Sequence, residues 1–164
     1  PAIVPRWIRR MFDGRSGRIL RFTDLSEVLA DVRTVSSAHR ALGNWTLAQT
    51  CKHLADTIQA SMDGFDLSRH RFKRWFLAKR LLAYTYANGI PEGYTIDPGL
   101  TPPRGVELDA AIAELERAIA RYRDHRGPLH PHPLFGRLSR EGWDRLHCFH
   151  AAHHLRLIIP ATAT

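Results

Sequence analysis

The sequence predicts an all-α protein built around a four-helix bundle. Apolar residues recur at three- and four-residue spacing in several segments, helix-capping residues stand at their boundaries, and no segment shows the alternation and hairpin turn of a β-sheet. A chain of 164 residues is long enough for one domain with its own hydrophobic core. We therefore expect an irregular basic arm over residues 1–22 and a single helical-bundle domain over residues 23–160.

Capping residues open the first two helices of the predicted bundle. Asp24 begins a helix over residues 24–40, where it can accept a hydrogen bond from the amide of Glu27 while the Glu27 side chain reaches back. Thr46 begins a second helix, over residues 46–65, with Gln49 at the matching position. The apolar stripes are Leu25, Val28, Leu29, Val32 and Val35 in the first helix and Leu47, Cys51, Leu54, Ile58, Met62 and Phe65 in the second.

The middle of the chain adds an extra helical segment and a long loop. Residues 68–86 mix aromatic and basic side chains and are stopped by Asn88-Gly89-Ile90-Pro91. Residues 91–105 then contain four prolines and three glycines, which exclude a regular element and predict a crossover loop. Loops of this length are often functional.

Two further helices complete the bundle. One spans residues 107–126, with acidic residues early, basic residues late and Gly127-Pro128 after it. The other spans residues 139–158 and is capped by Ser139. Four apolar residues of the last helix share a face with His150 and His154, so we expect this histidine pair to point into the bundle. These apolar residues are Trp143, Leu146, Leu157 and Ile158.

The chain is basic, with 24 Lys and Arg against 16 Asp and Glu and a formal charge of +8. The charge is concentrated in the N-terminal arm and in residues 69–80, and such a field attracts nucleic acid, an acidic lipid surface or an anionic small molecule. No apolar run reaches the roughly 18 residues of a membrane span. Cys51 and Cys148 show no disulfide spacing and are interpreted as core residues, which favours a cytoplasmic location.

Four histidines stand within eight positions of the last predicted helix, at 147, 150, 153 and 154. Residues four apart lie one turn above each other, so His150 and His154 can offer two imidazole nitrogens to one metal ion. The pairs His147/His150 and His150/His153, at three-residue spacing, stay open as alternatives. Every candidate pair includes His150.

A catalytic metal site needs a third protein ligand and leaves its fourth position to water or substrate. His53 is the best candidate because it lies in the middle of the second helix, at a depth that an antiparallel partner could match. It falls on the flank of the apolar stripe, beside Thr50 and Thr57. The lone histidines are interpreted as surface or core residues and the acidic residues as solvated helix-face charges, so no catalytic residue is assigned. The lone histidines are His39, His70 and His125, and the acidic residues are Asp56, Asp144 and Glu141. His147 and His153 are expected to lie at the surface or just outside the ligand set.

Three motifs carry a resemblance to a known family. They are WTLAQTCKHLA at residues 45–55, HPLFGRLS at 132–139 and HAAHHLR at 150–156. From about residue 24 onward the chain resembles an uncharacterised branch of the DinB/YfiT-like metalloenzyme superfamily. The resemblance implies a four-helix bundle holding one divalent ion, most often nickel or zinc, on three histidines. Matched by position, these are His53, His150 and His154.

The resemblance also sets expectations about activity. Characterised relatives include thiol-dependent S-transferases and a maleylpyruvate isomerase that uses a thiol cofactor, and dimers are common among them. We therefore expect a metal-dependent thiol transferase or hydrolase, with a low-molecular-weight thiol as cofactor, a homodimeric state and an anionic small-molecule substrate held by arginines such as Arg156.

Two alternatives remain open at this point. One is a non-catalytic, metal-stabilised bundle. The other is a nucleic-acid or membrane-surface binder using the basic and aromatic residues 69–76, which is the weaker interpretation because those aromatics could equally pack onto the bundle.

Overall fold

The computed structural model describes residues 17–65, 78–90 and 98–161. Helix predominates in these residues, in agreement with the all-α prediction. In chain order the elements are α1 (Leu25–Ser36), β1 (His39–Ala41), α2 (Leu47–Asp63), α3 (Ala78–Asn88), a 3-10 turn (Pro98–Leu100), α4 (Leu108–Asp124), α5 (Arg140–Leu155) and β2 (Ile158–Pro160).

The helices begin where the capping residues predict, with one difference in detail. Thr46 and Gln49 form both halves of a capping box at the start of α2, and Ser139 accepts a hydrogen bond from the amide of Gly142 at the start of α5. At α1 the predicted reciprocal box is wrong. Asp24 accepts from the amide of Ser26, and the Glu27 carboxylate instead accepts from the amide of Thr23, one residue earlier.

One hydrophobic core is shared by α1, α2, α4 and α5. Helix α2 packs along α4, and α5 packs against both α1 and α2. The predicted stripes of α1 and α2 face this core, with Leu29 and Phe65 at its margin. Cys51 and Cys148 are buried free thiols, which confirms their interpretation as core residues. The largest fully buried side chains include Trp143, Tyr122, Leu47, Leu115, Ile119 and Leu155.

A short antiparallel strand pair is the element that the sequence analysis missed. The predicted helix 24–40 ends at Ser36, and the predicted helix 139–158 ends at Leu155, because the residues beyond each helix pair with one another. Ala41 lies opposite Ile158, and the ladder is extended by backbone hydrogen bonds at both ends. Ile158 is therefore buried from a strand, and the prediction that Leu157 and Ile158 share a helical face with the histidines is wrong.

The loop between α3 and α4 contains one regular turn that was not predicted. The loop predicted over residues 91–105 was expected to hold no regular element, yet Pro98–Leu100 form a 3-10 turn. Helix α3 ends at Asn88, two residues after the predicted bound at residue 86 and within the predicted stop signal. Gly89 has a φ of +93° and donates its amide to the carbonyl of Thr85. No helix in the described part of the chain is long and apolar enough to cross a membrane.

Residues 17–22 run along the domain without forming a helix or strand. The amide of Arg18 donates to the carbonyl of Arg156 at 2.8 Å, and its guanidinium binds both carboxylate oxygens of Asp31. The rest of the predicted basic arm, the basic aromatic segment 69–76 and residues 91–97 lie outside the described residues.

Candidate metal centre

Three histidine side chains from two helices converge on one point. Helix α2 supplies His53, and successive turns of α5 supply His150 and His154. The Nε2 atom of His150 lies 3.2 Å from that of His53 and 2.9 Å from that of His154. The three candidate ligand atoms all lie within 4.8 Å of one another. The structure therefore brings together the three residues that the sequence singled out.

A backbone carbonyl orients the ring of His53. Its Nδ1 lies 2.7 Å from the carbonyl oxygen of Leu100, in the 3-10 turn. Because a carbonyl only accepts hydrogen bonds, Nδ1 is assigned the proton, and the neutral ring carries its lone pair on Nε2, facing His150. Such a bond from the second ring nitrogen fixes the orientation and tautomer of metal-binding histidines.

The surroundings keep all three imidazoles neutral. Burial is the main cause that lowers the pKa of His53, and the bond to Leu100 opposes it in part. Burial also holds the pKa of His150 and of His154 well below the usual value, and the neighbouring histidines lower both further. A neutral imidazole is the form that binds a metal ion. The three side chains therefore need to lose no proton to act as ligands at neutral pH.

Two of the three nitrogen spacings fit a single small ion. Two metal–nitrogen bonds of about 2.05 Å at a tetrahedral angle separate their nitrogens by about 3.3 Å. The two spacings from Nε2 of His150, 3.2 and 2.9 Å, are close to that value, and all three ligand atoms lie within 4.8 Å of one another. Three imidazoles also form the donor set of a catalytic zinc site with one open position. The residues present therefore fit the group that the resemblance implies.

Trp45 forms a wall of this site that the sequence analysis did not assign. Its ring stacks on His154, with centroids 5.1 Å apart and planes 17° from parallel, and lies 4.8 Å from the ring of His53 at a tilt of 55°. The residue directly precedes the cap Thr46, eight positions before His53. Because Trp45 precedes the cap and lies outside α2, helical spacing does not place it, and the sequence carries no local signal for this contact.

The other two histidines of α5 have different surroundings. His147 is 4% exposed, and its Nε2 lies 3.2 Å from the hydroxyl oxygen of Ser61; it is a core residue, and the expectation of a surface or outer-site role for it is wrong. The ring of His153 lies beside that of His154, with centroids 4.8 Å apart. Neither residue belongs to the group of candidate ligands found in the described residues. The alternative pairs His147/His150 and His150/His153 therefore find no support.

His132, in the motif HPLFGRLS, has a local structural role. Its Nδ1 accepts hydrogen bonds from the amides of Leu134 and Phe135, and its ring stacks on Phe135 with centroids 4.5 Å apart. Burial lowers its pKa to about 3. The motif therefore encodes a histidine-capped turn, closed by a bridge between His132 and Gly136, before α5.

The carboxylates near these helices bind cationic or hydroxyl partners. Asp56 accepts from Lys52 at 2.6 Å, and Asp144 accepts from the hydroxyl of Tyr122 at 2.7 Å and from Arg140. Glu141 is exposed, and the side chains of Asp56 and Asp144 are 24% and 50% exposed. The three acidic residues therefore keep contact with solvent, as interpreted, and Asp56 and Asp144 also take part in ion pairs.

Fold and site together define a small, mainly helical protein with a cluster of three histidines that could hold a metal ion. The chain belongs to the family described as protein of unknown function (DUF1569), whose model matches residues 14–161. No curated protein and no solved structure matches the chain.

Proposed function

We propose that this chain is a divalent-metal-binding helical bundle of the DinB/YfiT type and acts as a metal-dependent thiol S-transferase or hydrolase. His53, His150 and His154 hold one ion, nickel or zinc. The convergence of their three Nε2 atoms is the observation that carries the proposal.

The donor set supports this choice of metal and of chemistry. Imidazole nitrogens suit zinc, nickel, copper and iron, whereas magnesium and calcium prefer oxygen ligands. A divalent ion on three neutral imidazoles keeps its double charge and lowers the pKa of a thiol or water beside it, so an anionic nucleophile exists near neutral pH. Trp45 covers one face of His154 and restricts approach from that side.

The charge around the site favours an anionic substrate. After burial, the positive charge of Arg156 is the next cause that lowers the pKa of His153, and it also contributes to the lowered pKa of His154. The positive charge of Arg156 would attract a carboxylate on the substrate, while the low-molecular-weight thiol would bind the metal ion at the coordination position that the three histidines leave open. The two buried thiols are free, which suits the reducing cytoplasm.

Elemental analysis of protein purified without metal-affinity resin tests the site. We expect about one nickel or zinc ion per wild-type chain, and loss of the ion in His150→Ala and His154→Ala. The variant His130→Ala is the matched control, because it removes an exposed histidine outside the group. Equal metal content in the wild type and both site variants would refute the proposal.

A second experiment separates catalysis from a structural use of the metal. Metal-loaded protein is mixed with a low-molecular-weight thiol and an electrophilic carboxylic acid, and the loss of free thiol is followed before and after chelation. A rate that falls on chelation supports a transferase. A bound ion that changes the melting temperature but no rate would favour the non-catalytic, metal-stabilised bundle. Sedimentation equilibrium tests the homodimer, which stays a prediction.

A further inference from the structure

The segment from Pro98 to Pro103 is attached to α2 at two points. The Leu100 carbonyl accepts from Nδ1 of His53 at 2.7 Å, and the Pro103 carbonyl accepts from Nε2 of Gln49 at 3.2 Å. Gln49 and His53 are four residues apart, so both project from one face of the helix. Pro102, between the two carbonyls, is buried. The segment thus lies along the same face of α2 as the candidate ligand.

Gln49 is itself held in one orientation. Its Oε1 accepts from the amide of Thr46 at 3.1 Å, as half of the capping box. Because carbonyl oxygens cannot donate, the NH₂ end of the amide must face Pro103. One side chain therefore connects the start of α2 to the segment that orients His53.

We propose that residues 98–103 are a positioning segment for the metal ligand His53, held in place by Gln49, so that metal binding and the order of this segment are coupled. The inference rests on the proposed function, because it assumes that His53 is a ligand. A cation on Nε2 makes Nδ1–H a stronger donor to Leu100, and by reciprocity a segment that orients the ring increases the affinity for the ion.

The variant Gln49→Glu isolates the contact with Pro103. A glutamate keeps an oxygen acceptor for the amide of Thr46 but has no N–H to donate to Pro103. We expect its zinc dissociation constant, measured at pH 7 by competition with a chromophoric chelator, to rise about 10-fold. This is the lower end of the effect of losing a direct partner of a metal ligand, because Gln49 acts on His53 through residues 98–103. The added negative charge alone would act in the opposite direction.

Thr46→Ala is the matched control. It removes the hydroxyl that caps α2 and accepts from the amide of Gln49, but leaves the contact between Gln49 and Pro103 in place. We expect its zinc affinity to stay within about twofold of wild type. An equal loss of affinity in both variants would overturn the proposal, because the effect would then belong to the helix start.

Hydrogen exchange of the wild-type protein gives a readout independent of any variant. Zinc saturation should slow amide exchange in peptides covering residues 99–105, and Gln49→Glu should reduce this protection. Unchanged exchange on zinc saturation overturns the coupling even if the variant fails to fold. A Gln49→Glu protein that binds zinc as tightly as wild type overturns the positioning role and leaves the metal site standing. A wild type that binds neither zinc nor nickel overturns both.

Discussion

Protonation of His147 should make the protein lose stability in mild acid. The Ser61 hydroxyl donates to the carbonyl of Ile58 at 2.6 Å, so it accepts from Nε2–H of His147. Burial is the main cause that lowers the pKa of His147 to about 3, with smaller contributions from His132 and Arg140. In the unfolded chain the pKa returns to about 6.5. Stability from the neutral ring is therefore present above pH 6.5 and is lost as the pH falls towards 3.

The size of the loss follows from these two pKa values. Between pH 7 and pH 5, protonation of this one residue raises the statistical weight of the unfolded state about 25-fold and leaves that of the folded state almost unchanged. The free energy of unfolding therefore falls by about 2 kcal/mol. The variant His147→Gln keeps an N–H donor for Ser61 and does not titrate. We therefore expect wild type to lose about 2 kcal/mol more than the variant between the two pH values.

Urea unfolding at pH 7 and pH 5, with a chelator present throughout, measures this difference. The other histidines titrate alike in both proteins and cancel in the comparison, as does any loss of stability that the substitution causes at pH 7. An equal loss in wild type and His147→Gln would show that His147 takes up a proton without unfolding, and the reasoning from burial would be refuted.

Three further predictions concern the site and its surroundings. Zinc at about 100 times its dissociation constant should stabilise wild type by about 2.7 kcal/mol, which raises the melting temperature by roughly 5–10 °C. His150→Ala should abolish this rise, and a rise that persists in the variant would speak against the site. Copper(II) should quench part of the tryptophan emission because Trp45 stacks on His154, and in Trp45→Phe the quenching should disappear; persistence would point to another tryptophan. Gly17→Ala should lower the free energy of unfolding in urea by about 1–3 kcal/mol, because the added carbon would lie 2.6 Å from the Arg156 carbonyl oxygen. An unchanged free energy would show that residues 17–22 shift freely.

The parts of the structure that depend on neighbours in sequence could be predicted from sequence. The caps at Thr46 and Ser139 use groups within three residues, and the geometry of His150 and His154 follows from one helical turn. Whether His53 joins the pair depends on how α2 packs against α5. Its position on the flank of the apolar stripe left this open, and the family resemblance supported its choice as the third ligand.

The features that were missed depend on contacts between distant residues. The strands at Ala41 and Ile158 are three residues long, too short to show an alternating pattern, and each exists because the other lies beside it. The carbonyl of Leu100 carries no sequence signal, since every residue has one. The burial of His147 against Ser61 joins positions 86 residues apart, and no local pattern separates a core histidine from a ligand.

Helix α5 ends at Leu155, one residue after His154. The aligned peptide dipoles of a helix leave about half a negative charge on the free carbonyls at its carboxyl end, and a nearby cation there gains typically 0.3–1 kcal/mol. At this end of α5 the Arg18 guanidinium already donates to the carbonyl of Leu155 at 3.1 Å, and the positive charge of Arg156 also acts on His154. The helix end therefore offsets part of the positive charge of these two arginines at the candidate metal centre. It does so without a carboxylate ligand, which would cancel part of the charge of the ion itself and weaken its power to polarise a bound nucleophile.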